Sequence, residues 1–439
     1  MRHMITFART VVVVLWFSAL VASQQNKDMT YDERTQVNSA LNQISKDVVK
    51  HYYDPKLHGV DWDTKVEQTR EKVKEEKSLN MAMAHVAALL DSLNDSHTFL
   101  IPPRRPYVLD HGWDVKMIGD KCYVTRVRPG GDAETHGVKP GDQLIAINGY
   151  RLGRENLWKI EYAFNTLRPL PQLTLTLRSP EGTERKTMLE AKFRKRGGLK
   201  DLDNYDTIQD LMMEEENWSN EQRVRILEFG NELTIAKLKS FQFDEGGANK
   251  LISIARKRKA LILDLRENPG GSVEILKLVL GGLFDHDVTL GDRVARDNTK
   301  PLVAKTNHHP FDGKVIVLID SKSASASELL ARVVQLEKRG TVIGDRSSGS
   351  VMESRVYGYQ VGMGVVTFYG ASITDANLLM TDGVSLERQG VMPDEILLPT
   401  AVDLAAGRDP VLAHAAELAG VKLTPEDAGK LFPYLWPPE

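Results

Sequence analysis

Leu261-Ile262-Leu263-Asp264-Leu265-Arg266-Glu267-Asn268-Pro269-Gly270-Gly271 is an apolar run that closes on a proline and two glycines. Such a run reads as a strand buried on both faces, ending in a turn where glycine supplies backbone freedom. Its neighbours repeat the pattern. Leu233 to Leu238 predicts a strand, Gly247 to Lys257 a helix, Val273 to Phe284 a second helix, and Val315 to Ile319 another strand. Thr341 to Gly344 predicts one more strand. Strands alternating with helices imply right-handed βαβ crossovers and hence an α/β core.

After Val315 to Ile319 comes Ser323-Ala324-Ser325-Ala326-Ser327-Glu328, opening the helix-patterned stretch Leu329 to Leu336. A serine on a strand-to-helix turn is presented outward, beside backbone N–H groups that can hold an anion. The same letters also fit a capping box between Ser325 and Glu328. The hexapeptide by itself leaves both readings open, as Gly270-Gly271 by itself could be a plain turn.

Taken together and in this order, the two segments resemble the tail-specific, or C-terminal processing, serine peptidases. The resemblance covers nearly the whole chain after its N-terminal segment, and it refines the core to a crotonase-like spiral of βα units. In the best-known branch of that family the matching serine is activated by a lysine in a Gly-Lys-Gly turn. Counting along this chain places that position at Ser350, within Ser347-Ser348-Gly349-Ser350-Val351. Neutral serine cannot act as a base near pH 7. Lys338 lies too far along the helix that Ser325 opens to replace the lysine.

Another branch, which includes tricorn core protease, uses a histidine base oriented by a glutamate. Leu93-Asn94-Asp95-Ser96-His97-Thr98 is similar to its histidine segment, with His97 as base and Ser96 as the adjoining polar group. Glu387, in Leu386-Glu387-Arg388-Gln389-Gly390-Val391-Met392-Pro393-Asp394, matches the glutamate. Asp394 and Asp95 are alternative orienting groups. The resemblance thus implies a Ser325–His97–Glu387 triad. Gly270 or Gly271 and Ala326 are the natural oxyanion donors. A histidine base suits the chemistry because its ordinary pKa lies near neutrality.

Between about Asp110 and Phe193 the pattern is of short strands and turns, including Cys122 to Val127 and Gln143 to Gly149. This stretch resembles a PDZ domain of the bacterial protease type. Such domains add an extended peptide to a sheet edge and hold its terminal carboxylate on backbone N–H groups. The carboxylate loop falls at Gly112-Trp113-Asp114, where a bulky ring and an acid replace the family's glycines. That departure puts carboxylate reading in doubt and leaves internal segments, or a regulatory role, open.

The N-terminus carries Arg2, His3 and Arg9, an apolar run from Val11 to Ala22, then Val21-Ala22-Ser23-Gln24. This is the layout of a secretory signal peptide, and its apolar run is shorter than the roughly 20 residues that span a bilayer. The reading is therefore an exported protein, periplasmic or secreted, without stable membrane insertion after cleavage. The full organisation is a signal peptide at 1–23, a helical region at 24–107, a PDZ-like domain at 108–196, a peptidase core at 197–400 and a helical tail at 401–439. Leu199 to Glu228 reads as a polar surface helix or linker, and the tail leaves a homo-oligomer contact open.

Composition bounds the rest. The 439 residues carry a net charge of -3, with no basic stripe that would argue for nucleic acid. The single cysteine, Cys122, has no internal disulfide partner and reads as a small buried hydrophobe. His308-His309 has no further ligands nearby and reads as surface, and no metal or organic cofactor is implied. The sequence therefore points to an exported serine endopeptidase acting on flexible or unfolded polypeptides. The alternative is a non-catalytic binder of peptides or apolar ligands on the same scaffold. An esterase or acyl transferase using the same triad is a third reading.

Overall fold

The computed structural model describes residues 28–195, 224–307, 309–361 and 367–436. The expected signal segment, residues 199–223 of the acidic stretch, and His308 lie outside them.

A six-stranded sheet forms the centre, in the order Val224–Phe229, Leu233–Leu238, Ala260–Asp264, Lys314–Ile319, Gly340–Gly344 and Glu395–Ile396. The first pair is antiparallel and the remaining pairs are parallel. Strand alternation explains the unbroken apolar runs. Leu261 and Leu263 face helices Glu245–Ala255 and Val273–Gly281 through Leu251, Ile252, Leu276 and Val279. Ala260 and Ile262 face the other way, with Ile316, Leu318 and Ile343, onto Val411, Leu412, Ala415 and Ala416. Those four belong to helix Pro410–Leu418. The C-terminal helix is thus the cover for one face of its own sheet.

One expectation is corrected here. Val224–Phe229 is a strand, whereas the polar pattern of the sequence predicts a surface helix or linker as far as Glu228. It is an edge strand, so Arg225 and Glu228 interrupt its apolar pattern at little cost.

A second sheet joins Phe99–Ile101, Thr367–Met380, Val288–Ala295 and Thr299–Ala304, with Met352–Val361 paired along Thr367–Met380. Tyr359, Tyr369, Ala371 and Ile373 of this sheet share a core with Leu41, Ile44, Val48 and Leu90 of helices Tyr31–His51 and Leu79–Asp91. The segment after the second of those helices is consequently pinned to the hairpin. Thr374 Oγ1 donates to Asp95 Oδ1 at 2.7 Å, and Thr98 Oγ1 donates to Thr374 Oγ1 at 3.0 Å.

The third body is the sheet Trp113–Ile118, Lys121–Val127, Gln143–Ile147, Gln172–Arg178 and Glu184–Glu190, backed by helix Leu157–Glu161. Cys122 sits in its core, where burial pushes the thiol up to about 12. This body docks on the central sheet through Lys116 Nζ to Asp320 at 2.9 Å, Arg154 to Asp345 at 2.6 Å, and Ser321 Oγ to the Met117 carbonyl at 2.6 Å. Among the described residues no helix is long and apolar enough to cross a membrane.

Candidate active site

Ser325 stands at the carboxyl end of the Lys314–Ile319 strand, immediately before helix Ala326–Leu336. Its backbone has φ 55° and ψ -119°, a conformation that non-glycine residues adopt only where the surroundings enforce it, at about 1–3 kcal/mol. The enforcement is visible. Ser325 N–H donates to the Ser350 carbonyl at 2.9 Å and to Glu328 Oε2 at 3.0 Å. On the other side, Ala324 N–H donates to the Asn268 carbonyl at 2.9 Å. Ser323 Oγ reaches the Leu265 carbonyl at 2.8 Å, and Ser327 Oγ reaches that of Asn268 at 3.0 Å. The flanking serines are pegs that fasten the turn to the end of the Ala260–Asp264 strand.

Gly270, φ 102°, is the residue against which Ser325 packs. A Cβ there would lie 2.6 Å from Ser325 Cβ. Gly270 N–H is spent on Asn268 Oδ1 at 2.8 Å, which removes Gly270 from the two oxyanion donors the sequence offered at this turn. The hydrogen bonds around Gly271 run from Phe241 N–H to the Gly270 carbonyl, and from Ser272 N–H to the Phe241 carbonyl. Among the described residues, Gly271 N–H and Ala326 N–H have no acceptor; the second is a first-turn helix donor.

His97 is held by its own neighbours. Its backbone N–H donates to Asp95 Oδ1 at 2.8 Å, and its Nδ1 lies 2.7 Å from Ser96 Oγ. Ser96 Oγ donates to Glu387 Oε2 at 2.8 Å, while Ser96 N–H donates to Glu387 Oε1 at 2.7 Å. A hydroxyl has one proton. With that proton donated to the carboxylate in a hydrogen bond, Ser96 Oγ must accept from Nδ1–H, leaving Nε2, with its lone pair, as the basic atom. Glu387 therefore reaches the imidazole through Ser96, where the sequence reading had it orient the ring by itself. Burial lowers the His97 pKa below the ordinary histidine value, with the charge of Asp95 opposing. Burial raises that of Glu387, opposed by the donors from Val351 and Ser96.

The two alternative orienters are occupied elsewhere. Asp95 accepts from Tyr52, Thr98 and Thr374. Asp394 accepts from Val342 N–H and Gln335.

Val351 N–H donates to Glu387 Oε2 at 2.9 Å, one residue after the Ser350 carbonyl that accepts from Ser325. One continuous hydrogen-bond chain thus joins Ser325, Ser350, Val351, Glu387, Ser96 and His97. Among the described residues no hydrogen bond links Ser325 Oγ to the His97 ring directly. Ser350, the position matching the lysine, offers only a hydroxyl, 3.2 Å from Ser348 Oγ. Lys322, the lysine nearest Ser325 in sequence, is spent on Asp114 at 3.1 Å.

Glu328 was legible only as a helix cap. It is a fully buried hub: Oε1 accepts from Ser347 Oγ and Gly349 N–H, Oε2 from Ser350 N–H and Ser325 N–H. Burial pushes its carboxyl up to about 7 against those donors. The serine-x-x-glutamate spacing was the available signal, but it does not reveal that the acid also holds the loop at 347–350.

At the expected carboxylate loop, Gly112 N–H donates to Asp110 Oδ1 at 2.9 Å and is not a free donor, in line with the departure from the family's glycines. Asp114 pairs with Arg126 at 2.6 Å and with Lys322. Trp113 and Asp114 line a groove of about 140 Å³ with Glu161, Phe164 and His111. Trp113–Ile118 is the edge strand of its sheet.

Residues 232–397 match Peptidase family S41, and residues 110–177 match the PDZ domain. The chain carries an S41 peptidase domain and a PDZ domain. A Streptomyces coelicolor protein described as a tricorn protease homolog is 25% identical over 422 residues, covering 88% of this chain and 32% of that protein. The carboxyl-terminal-processing protease of Picosynechococcus sp. is 24% identical over 335 residues, covering 73% of this chain and 74% of its own length. The tail-specific protease of Haemophilus influenzae is 25% identical over 334 residues, 70% of this chain and 44% of that protein. The chain spans 32% and 58% of the first two curated relatives it matches. The crystal structure of mature CPAF superposes with a TM-score of 0.63 at 16% identity, over 85% of this chain and 94% of that one, a likeness of fold alone. The chain thus combines the S41-matching and PDZ-matching segments in a mixed α/β, multidomain fold.

Proposed function

We propose that the chain is an exported serine endopeptidase that cuts flexible or unfolded polypeptides, with Ser325 as nucleophile and His97 as base. The observation that carries this reading is the relay from Glu387 through Ser96 to His97 Nδ1, tied to the Ser325 turn through Val351 and Ser350. In the reaction, Ser325 Oγ bonds to the scissile carbonyl carbon as its proton passes to His97 Nε2. The imidazolium is stabilised through Nδ1–H by Ser96 and the Glu387 carboxylate. Gly271 and Ala326 N–H groups receive the oxyanion, an interaction worth about 3 kcal/mol per donor in the barrier. Collapse expels the amine, which takes the proton from His97, and water then repeats the sequence on the acyl-serine. The successive βα units from Leu233 to Gly344 support a crotonase-like reading of this core.

The PDZ domain raises the local concentration of substrate or regulates the site. The place of Trp113–Ile118 at the edge of its sheet supports capture of an extended segment at the Trp113 end, since the Met117 carbonyl is already taken by Ser321 Oγ; the occupied Gly112 N–H argues against a terminal carboxylate there. Export rests on the N-terminal charge and apolar pattern of the sequence.

The test is labelling by a fluorophosphonate, mapped by peptide mass spectrometry. Labelling at Ser325 that disappears in Ser325→Ala and collapses in His97→Ala, with unchanged circular dichroism, is the expected result. Undiminished peptide cleavage by folded Ser325→Ala would remove the proposal.

A further inference from the structure

At the carboxyl ends of the Leu233–Leu238 and Ala260–Asp264 strands lies a cavity of about 420 Å³ that contains none of the residues of the Ser325 site. Several parts of the chain wall it: Lys116 and Arg126 from the PDZ sheet, Arg225, the strand ends from Lys237 to Glu267, the segment from Pro399 to Asp409, and the C-terminal segment ending at Leu435. The carboxyl edge of parallel strands is where α/β sheets place ligands.

Its charge is unbalanced. Seven lysines and arginines line it against three carboxylates, Asp264, Glu267 and Asp409. Some of the excess is met from behind the wall, where Lys116 uses Asp320 and Arg126 uses Asp114. Arg408 likewise uses Asp403. Four cations, Arg225, Lys237, Lys239 and Arg266, are then left with the three carboxylates of the wall. Asp264 serves both Lys237, at 3.0 Å, and Arg266, at 2.8 Å. Glu267 serves Lys239 at 3.0 Å as well as Arg126 and Lys116. Among the described residues Arg225 has no carboxylate partner; it donates to the Pro433 carbonyl at 3.0 Å and lies 5.2 Å over the Phe432 ring. Burial lowers the Lys237 ammonium below its ordinary pKa, with Arg266 and Lys239 adding to the shift and Asp264 and Glu267 opposing it.

These cations are also preorganised. Arg266 is fixed as a two-pronged fork on Asp409, both contacts at 2.8 Å, and Arg126 is stacked 4.3 Å from the Tyr434 ring. A walled, prepaid set of ammonium and guanidinium groups with more positive than negative charge fits clustered oxygens of the opposite sign.

We propose that this cavity binds a multiply charged oxyanion group of the carboxylate or phosphate class, at a site separate from the catalytic serine. Such a group comes either from a free small polyanion or from an acidic end of a polypeptide. Full-length Ser325→Ala protein, which cannot consume a peptide, is titrated calorimetrically at low salt with inorganic pyrophosphate. A parallel titration uses a flexible peptide ending in consecutive aspartates and a free carboxylate. Arg225→Gln and Lys239→Gln are run alongside; both side chains are at the cavity, outside the catalytic network, and thermal unfolding reports their folding.

Binding of one probe at least, weakened about tenfold by either variant and further by salt, is the expected result. Tighter pyrophosphate binding identifies a small polyanion. Tighter peptide binding, displaced by pyrophosphate, identifies a polypeptide end. Absence of binding by both probes at millimolar concentration overturns the proposal, and so does binding equally tight in both variants. Because no cavity residue belongs to the Ser325 network, these outcomes are independent of whether the chain cleaves peptides.

Discussion

Removing a single oxygen, in Ser96→Ala, isolates the relay that distinguishes this site from a directly paired histidine and acid. Ser96 Oγ lies 2.7 Å from His97 Nδ1 and 2.8 Å from Glu387 Oε2, so its loss breaks the connection between them. Glu387 itself stays seated, because the backbone N–H groups of Ser96 and Val351 still donate to it at 2.7 and 2.9 Å. The deficit therefore falls on the imidazolium that forms as Ser325 attacks. A hydrogen bond to a charged group contributes about 1.5–3 kcal/mol. Lost from the transition state alone, that is about a 10- to 150-fold fall in kcat with KM little changed. The assay is steady-state cleavage of an internally quenched peptide, with the rate of fluorophosphonate labelling as a second readout of the nucleophile. Ser96→Thr keeps the hydroxyl and should recover most of the rate, whereas a purely structural role would show instead as a drop in thermal stability. Full kcat in a stable Ser96→Ala protein would refute the relay.

Three further outcomes follow from the geometry. Because burial lowers the His97 pKa, the acid limb of kcat/KM should lie below 6.5, the ordinary histidine value, with the base competent throughout the neutral range. Glu328, raised to about 7 in the fold from an ordinary 4.5, binds its proton more tightly folded than unfolded. Its contribution to stability is therefore full below pH 4.5 and lost as pH rises through 7, a decline on the order of 3 kcal/mol, so denaturant titrations should show a steeper loss in the parent than in Glu328→Gln. Gly270→Ala puts a Cβ 2.6 Å from Ser325 Cβ at a φ of 102°; it should destabilise by about 2 kcal/mol in urea titrations and abolish labelling.

The inner strands of the central sheet were legible because they are buried on both faces, so their apolar runs survive translation into one dimension. Leu233–Leu238 and Ala260–Asp264 are of this kind. The hairpin Met352–Val361 and Thr367–Met380 was not legible, although it carries the core that anchors His97. Its strands mix Arg355, Tyr357 and Gln360 with small residues, and their pattern makes sense only against helices near the N-terminus. Val224–Phe229 was missed for a related reason, since an edge strand tolerates Arg225 and Glu228.

The sequence by itself determined the chemical inventory: a serine on a strand-to-helix turn, a glycine pair, a histidine segment, and a hydroxyl where a lysine would sit. Those are local properties, and residue type and spacing state them directly. The tertiary structure decided which atoms meet. Ser96 and Glu387 are 291 positions apart, and only the packing of the helical lead on the Thr367–Met380 strand brings them to 2.8 Å. Which glycine keeps a free N–H depends on where Asn268 Oδ1 points, and the charged cavity exists only where several distant segments converge. Hydrogen bonds act over less than about 3.5 Å, so their partners are fixed by the closure of the whole chain and not by any stretch of it.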